Sequence, residues 1–327
     1  MISKPEKFIS SIIWILSFSS IFCLLAFLYR IMPMHEAGLF ILAPSLILIG
    51  ILWIVAQKKN YHRLTLALKT GFWGGILGVL GYDLIRLPLH FLGLNPLTPI
   101  RSYGMYILNA PYSTLISDLA GFLYHFSNGI TFAWIYTLIA LGKNRWWAIA
   151  WGIGLELLAY ATSFGEVYGL RTNLTAFGIG LGAHVFFGYP LGWLAEKPTL
   201  RLQKLLTIKK PLGIIGMIFG IGILISFFAL AWEPISSLHT PQTLYLGPHA
   251  LSAGWNRVEI DQSFTLQNTT QKDIRYEILR LNLEETLKAT SSAEIQFPDP
   301  GIYQIRTPDN TWRSAFISIE EGGYPIK

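Results

Sequence analysis

Charge and cysteine are the two things this chain has least of. Asp, Glu, Lys and Arg make up 13% of its 327 residues, against roughly 25% in a soluble domain, so an ordinary soluble fold is excluded first. The single cysteine, Cys23, sits inside an apolar run. One thiol rules out an intrachain disulfide and any cysteine-based zinc or iron–sulfur centre. HExxH, GxSxG and the other short hydrolase signatures are missing too, which weighs against an enzyme. The net charge of +6 is no nucleic-acid signal either, because that would need a basic face on a soluble domain.

What the chain does have is apolar length. It is 52% hydrophobic with a mean hydropathy of +0.44. Seven runs, about 8–29, 37–56, 66–91, 113–141, 146–165, 174–195 and 211–232, each approach the ~20 residues that a bilayer core requires. These predict a polytopic α-helical membrane bundle over 1–236. The first run ends without a small-residue cleavage site, so it reads as an uncleaved helix. Between the fourth run and the third, the stretch Leu92–Tyr112 reads as a long apolar loop on the membrane surface or capping the bundle.

The basic residues set an orientation. Lys4 and Lys7 precede the first run, Lys58, Lys59 and Arg63 follow the second, Lys143 and Arg145 the fourth, and Lys197, Arg201, Lys204, Lys209 and Lys210 the sixth. The alternate gaps hold only Arg30, Arg101 and Arg171. The N-terminus is therefore expected in the cytoplasm and the C-terminal domain on the far side. Trp146, Trp147, Trp193 and Trp232 stand at run ends as interfacial anchors.

Residues 239–327 change character. They carry 8 Lys/Arg against 11 Asp/Glu, whereas 1–238 carry 17 against 8. Seven β-rich runs, from Thr243–Leu246 to Ser314–Ile319, are separated by turn formers, the pattern of a small all-β sandwich. Beyond lipid, the expected partner is an extracytoplasmic protein that binds this domain.

The candidate site is polar and lies inside the apolar runs. Ionisable groups there are costly and tend to face a bundle interior or a water-filled path. His125, Asn128, Glu156 and His184 fall at about the same depth when counted along their runs. Asp83, Arg86 and His90 share one helical face by their three- and four-residue spacing, as do Asp118, His125 and Asn128. Tyr160 and Ser163 follow Glu156 on its face. Together they describe a funnel: Asp83, Arg86, His90, Asp118, Tyr160 and Ser163 as walls, and His125, Asn128, Glu156 and His184 as floor. Arg86 is the natural partner of Asp83 or Asp118. Glycines Gly121, Gly129, Gly178, Gly180 and Gly182 are expected to let helices approach closely.

Four roles remain open for the floor. His125 and Glu156 can simply hydrogen-bond two helices together. The cluster can pass protons or ions. His125, Glu156 and His184 can ligate a divalent metal. As a further alternative, such a metal can activate water for intramembrane hydrolysis. A membrane-anchored scaffold whose β-domain binds a partner protein is the competing function.

Two resemblances add to this. "YHFSNGITFAWIYTLIA" and "GLGAHVFFGYPLGWLAE", within 124–195, resemble the YagU-type family of small multi-pass inner-membrane proteins. The matching positions are His125, Gly129, Phe132, Ala133 and Tyr136, then His184, Phe187, Gly188, Leu191 and Gly192. The likeness implies a paired-histidine architecture in a bacterial plasma membrane. In the tail, "IQFPDPGIYQIRT" and "SAFISIE" resemble the last strands of cupredoxins, and of immunoglobulin-like sandwiches. Thr307 stands where a copper-ligating cysteine would be, so the resemblance implies the fold without blue copper, which needs His₂Cys.

Overall fold

A computed structural model describes residues 3–89, 97–168, 170–171, 174–207, 242–247, 255–308 and 310–320. The chain divides into two compact units. One comprises Met1–Pro88, Leu123–Glu166 and Leu170–Ser226, and the other Leu89–Phe122, Val167–Gly169 and Phe227–Lys327.

The first unit is helical. The first apolar run forms α1 (Lys4–Leu16) and α2 (Ser19–Leu28). Its helix starts where Ser3 accepts a hydrogen bond from the Glu6 amide, with Pro5 in the first turn, as N-terminal positions favour. The second run is α3 (Met34–Ala37), a wide π turn over Gly38–Leu42, and α4 (Ala43–Lys58). Pro44 lacks the N–H that would close the ordinary turn onto residue 40, which accounts for the widening. Then come α5 (His62–Leu89), α7 (Leu115–Ala140), α8 (Trp146–Ala161), α9 (Ser163–Val167), α10 (Leu174–Glu196) and α11 (Pro198–Thr207), with α6 (Thr98–Leu108) and the start of α7 up to Phe122 belonging to the second unit.

By length and apolarity, four helical segments among the described residues suffice to cross a membrane: Lys4–Leu28, Met34–Lys58, His62–Leu89 and Leu174–Glu196. Trp146–Ala161 is apolar but shorter, because the run expected over 146–165 breaks at the extended Thr162. α7 is long enough, yet its polar residues keep it out of that set. The expected span 211–232 lies outside the described residues. Ile47, Ile51 and Ile54 are more than half exposed, as a lipid-facing side of α4 would be. Inside, one cluster joins Ile13, Ile49, Leu68 and Trp134, and another joins Val79, Ala133, Leu155, Phe187 and Leu191. The second is tight because Gly75 lets α5 meet the α7 backbone: a Cβ there would lie 2.6 Å from the Ile130 Cα.

The second unit is β-rich. One sheet runs β1 (Thr243–Leu246), β3 (Phe264–Asn268), β6 (Ser292–Ile295). The other runs β2 (Trp255–Glu259), β8 (Asn310–Glu320), β7 (Gly301–Thr307), β4 (Ile274–Ile278), β5 (Leu283–Leu287). β1 pairs parallel with β3 and β2 with β8; the other pairs are antiparallel. Leu244, Phe264 and Leu266 from one sheet share a core with Val258, Ile278, Tyr303, Ile305 and Ile317 from the other. β5 was not anticipated, because "LEETL" lacks the alternation that marks a strand.

The stretch expected to be a loop, Leu92–Tyr112, contains α6. It ends at Asn109, whose φ of 51° is the left-handed cap that asparagine tolerates. Beyond it the chain joins the β-sheet. Arg257 donates its amide to the Pro111 carbonyl and Ser113 donates to that of Trp255. Arg257 also donates to both oxygens of Glu320, at 2.7 and 2.8 Å, and to Asn109 Oδ1 at 2.9 Å.

Candidate functional site

Four helices of the first unit supply the polar groups. α5 carries Tyr82, Asp83 and Arg86 on neighbouring positions, α7 carries His125, α8 carries Glu156 and α10 carries His184. Asp83 and Arg86, one turn apart, approach to 3.6 Å between Oδ1 and Nη1. The same Oδ1 lies 3.0 Å from His125 Nε2. Asp83 and Arg86 are buried.

The second pair joins α8 to α10. Glu156 Oε2 is 3.0 Å from His184 Nδ1, and the Gly180 carbonyl, one turn back on α10, is 3.0 Å from the same nitrogen. With only oxygen acceptors facing it, Nδ1 is placed to be the ring nitrogen that donates. Gly180 makes room for this arrangement: a Cβ would fall 2.7 Å from the Glu156 carboxyl carbon.

Tyr82 connects the two pairs. Its ring packs edge-on against His184 at 4.8 Å between centroids and lies 5.9 Å from the ring of His125. Arg86 sits over its face, with Cζ 4.7 Å from the centroid, a favourable cation–π distance. Each carboxylate keeps one buried oxygen without a hydrogen-bond partner, Asp83 Oδ2 and Glu156 Oε1. An unsatisfied buried acceptor costs on the order of 1–3 kcal/mol, so a well-packed structural pair would be expected to avoid it.

Several expectations are corrected. Glu156 pairs with His184, and His125 pairs with Asp83, so the anticipated His125–Glu156 pair does not form. The three expected metal ligands, His125, Glu156 and His184, are thus divided between two pairs. Among the described residues no group of three or more His, Cys, Asp or Glu is placed to hold a metal ion. Asn128 faces elsewhere: its Oδ1 accepts from Ser20 of α2 at 2.5 Å, next to Tyr124, which donates to the Ser20 carbonyl at 2.6 Å. Asp118 belongs to the second unit and is fully buried against Arg101 of α6, with Nε 3.1 and 3.2 Å from its two oxygens. Of the two partners expected for Arg86, Asp83 is the one it approaches.

Tyr160 packs at a tilt against Phe177, with 4.8 Å between ring centroids, and its carbonyl accepts from Arg171. Ser163 starts α9, and its amide donates to the Tyr29 hydroxyl. His90 lies outside the described residues. Gly121 and Gly129 do sit at close helix contacts, whereas a Cβ on Gly178 or Gly182 would meet nothing. α10 instead meets α8 through Gly188 and Gly192.

Sequence reasoning missed Tyr82 and Arg101. Nothing distinguishes Tyr82 by pattern, but Arg101 had a signal: it is the one charge in an apolar stretch between prolines. In the β-rich unit, Thr307 is buried in β7 at the position considered for a copper-ligating cysteine. Residues 239–327 contain no cysteine or methionine, so the donor set does not fit a blue-copper centre.

No family model and no curated protein matches the chain, and the resemblance of 124–195 to YagU-type proteins gains no support there. A solved structure described as a novel purple cupredoxin from Nitrosopumilus maritimus is similar over 24% of this chain and 98% of its own, at 13% identity and a TM-score of 0.22. A likeness that slight carries no argument.

Proposed function

We propose that the helical unit is a membrane-embedded proton carrier, with Asp83–His125 and Glu156–His184 as two exchange stations on either side of Tyr82. The observation that carries this is the pair of buried carboxylates, each bonded to one imidazole and each with a second oxygen left unpaired. Charge balance favours it as well. Two ionised carboxylates face one permanent cation, Arg86, so a neutral cluster holds one more proton on an imidazole or a carboxyl. Such a proton belongs to the coupled set and can shift among its members. A divalent metal is a weaker fit, because each imidazole is already engaged with its own carboxylate. The same pairing leaves no shared point at which a metal would activate water, so intramembrane hydrolysis is disfavoured.

The topology that goes with this reading has seven crossings, a cytoplasmic N-terminus and an extracytoplasmic β-sandwich over 239–327. The alternating basic gaps favour that orientation, and the single core shared by two sheets favours the sandwich. The test is proton flux into liposomes holding the purified chain, driven by an imposed potassium diffusion potential and read with an entrapped pH dye. Wild type is expected to acidify the lumen well above empty liposomes, Glu156→Gln and Asp83→Asn to lose most of that flux, and Asn128→Ala to keep it. Flux equal to empty liposomes from monodisperse wild-type protein overturns the proposal. Bound metal in wild type that disappears in His125→Ala/His184→Ala would favour the metal reading instead.

A further inference from the structure

The α4–α5 turn borders an open surface pocket of about 420 Å³ lined by Gln57, Asn60, His62, Thr65, Leu66 and Lys69, of which Gln57, Asn60, His62 and Lys69 are exposed. Five of these six side chains offer hydrogen-bonding atoms, one is a permanent cation and one is a titratable imidazole. None is acidic. Thr65 lines the pocket too, although its hydroxyl is buried away from solvent without a hydrogen-bond partner. Asn60 adopts a left-handed φ of 55°, which closes the turn sharply and brings the end of α4 beside the first turns of α5.

The charge around it is one-sided. Lys58, Lys59 and Arg63 flank the cavity in sequence, and among the described residues neither they nor Lys69 has a carboxylate partner. The carboxylate packed at this helix start, Glu6, is buried and accepts from the Leu64 amide at 3.1 Å. It is committed to that amide and is not among the lining groups. Basic residues at the end of a span are an ordinary topology signal. A polar cavity built among them is not.

We propose that this cavity binds an anionic phosphate group, with the headgroup of an acidic phospholipid as its source. The lipid source is favoured by what leads up to the cavity. Ile47, Ile51 and Ile54 are exposed on α4 at spacings of four and three, so they form one apolar stripe that continues through Lys58, four residues further on. Acyl chains would lie along that stripe while Lys69, His62, Gln57 and Asn60 hold the phosphate. A small free phosphate would use the same groups without the stripe.

The test is native mass spectrometry of the full chain released from micelles that contain phosphatidylglycerol and phosphatidylcholine in equal amounts. Wild type is expected to retain one phosphatidylglycerol in preference to phosphatidylcholine. His62→Ala/Lys69→Ala should weaken that retention by at least the order of fivefold expected for loss of the Lys69 charge, and Lys69→Arg in place of Lys69→Ala should restore part of it. Lys143→Ala, at a different basic turn, should change nothing. Millimolar inorganic phosphate that displaces the lipid assigns the cavity to phosphate in general; a lipid that resists it assigns the cavity to the headgroup with its chains. Equal retention of the two lipids with no saturable phosphate binding overturns the proposal, and so does a Lys143→Ala loss as large as that of the double variant.

Discussion

Glu156 Oε2 lies 3.0 Å from Nδ1 of His184, joining α8 to α10 through buried groups. Removing one partner of such a pair leaves the other's charge in a low-dielectric site, at a cost of about 3–5 kcal/mol. His184→Ala should therefore lower the thermal midpoint of the purified protein sharply. Glu156→Gln keeps shape and removes the charge, so it should change the midpoint little. Scanning fluorimetry in detergent separates the two. If both variants melt alike, the pair does not hold these helices together.

Gly180 sets the seat of the same carboxylate. A methyl group at 180 would meet the carboxyl carbon at 2.7 Å, a distance no real contact adopts, so Glu156 must move off His184. Overpacking of this kind costs about 1–3 kcal/mol. Gly180→Ala should destabilise the protein by that order and reduce proton flux as Glu156→Gln does. Gly178→Ala, which faces open space, should do neither, and the two variants together form the comparison.

How much of this was legible in the sequence differs by level. The helical character of the apolar runs among the described residues before 208 and the strand at Thr243–Leu246 follow directly from composition and periodicity, whereas α6, β5 and the early end of α8 do not. The polar residues of the site were visible too, because a glutamate or histidine inside an apolar run is conspicuous. Their partners were not. Helical spacing says that His125 and Asn128 share a face, but a helix face can meet two neighbours, and here His125 meets α5 while Asn128 meets α2. Likewise the prolines around Arg101 read as loop punctuation, although Pro99 sits in the first turn of α6, where a missing N–H is tolerated.

Tyr276 and Glu285 stand opposite each other on β4 and β5, and the Tyr276 hydroxyl donates to Glu285 at 2.9 Å. Burial, and then the bond and charge of Glu285, push the phenol's pKa above its ordinary value. The folded state thus holds this proton more tightly than the unfolded chain, where tyrosine titrates near ~10. Its contribution is complete below that pH and is lost as pH rises from there through the higher folded value. The protection of residues 274–287, corrected for the intrinsic base-catalysed rate, should fall above about pH 10 in wild type. Tyr276→Phe should flatten that fall, and an unchanged slope would remove the phenol as its source.

Arg257 ties the end of α6 to the sheet within the β-rich unit. Burial works against its charge, but the two bonds and charge of Glu320 outweigh that and hold its pKa above the ordinary arginine value. It is 4% exposed, its guanidinium also reaches Asn109 Oδ1, and it lies 5.5 Å from the centre of the Tyr106 ring. Tyr106 in turn is hydrogen-bonded to Ser318 at 2.8 Å. Arg257→Ala leaves Glu320 uncompensated and should cost about 3–5 kcal/mol. Arg257→Lys keeps the charge but cannot supply three donors in a planar fork, so it should recover only part of the loss. Hydrogen exchange at Ser113 and Arg257, whose amides bond across to Trp255 and Pro111, reports the site directly. Both amides should lose protection in Arg257→Ala, while Leu266 in the other sheet keeps its own. Uniform loss across both sheets would mean that Arg257 supports the whole β-rich core, and unchanged protection would mean that the strand pairing of 111–113 stands without it.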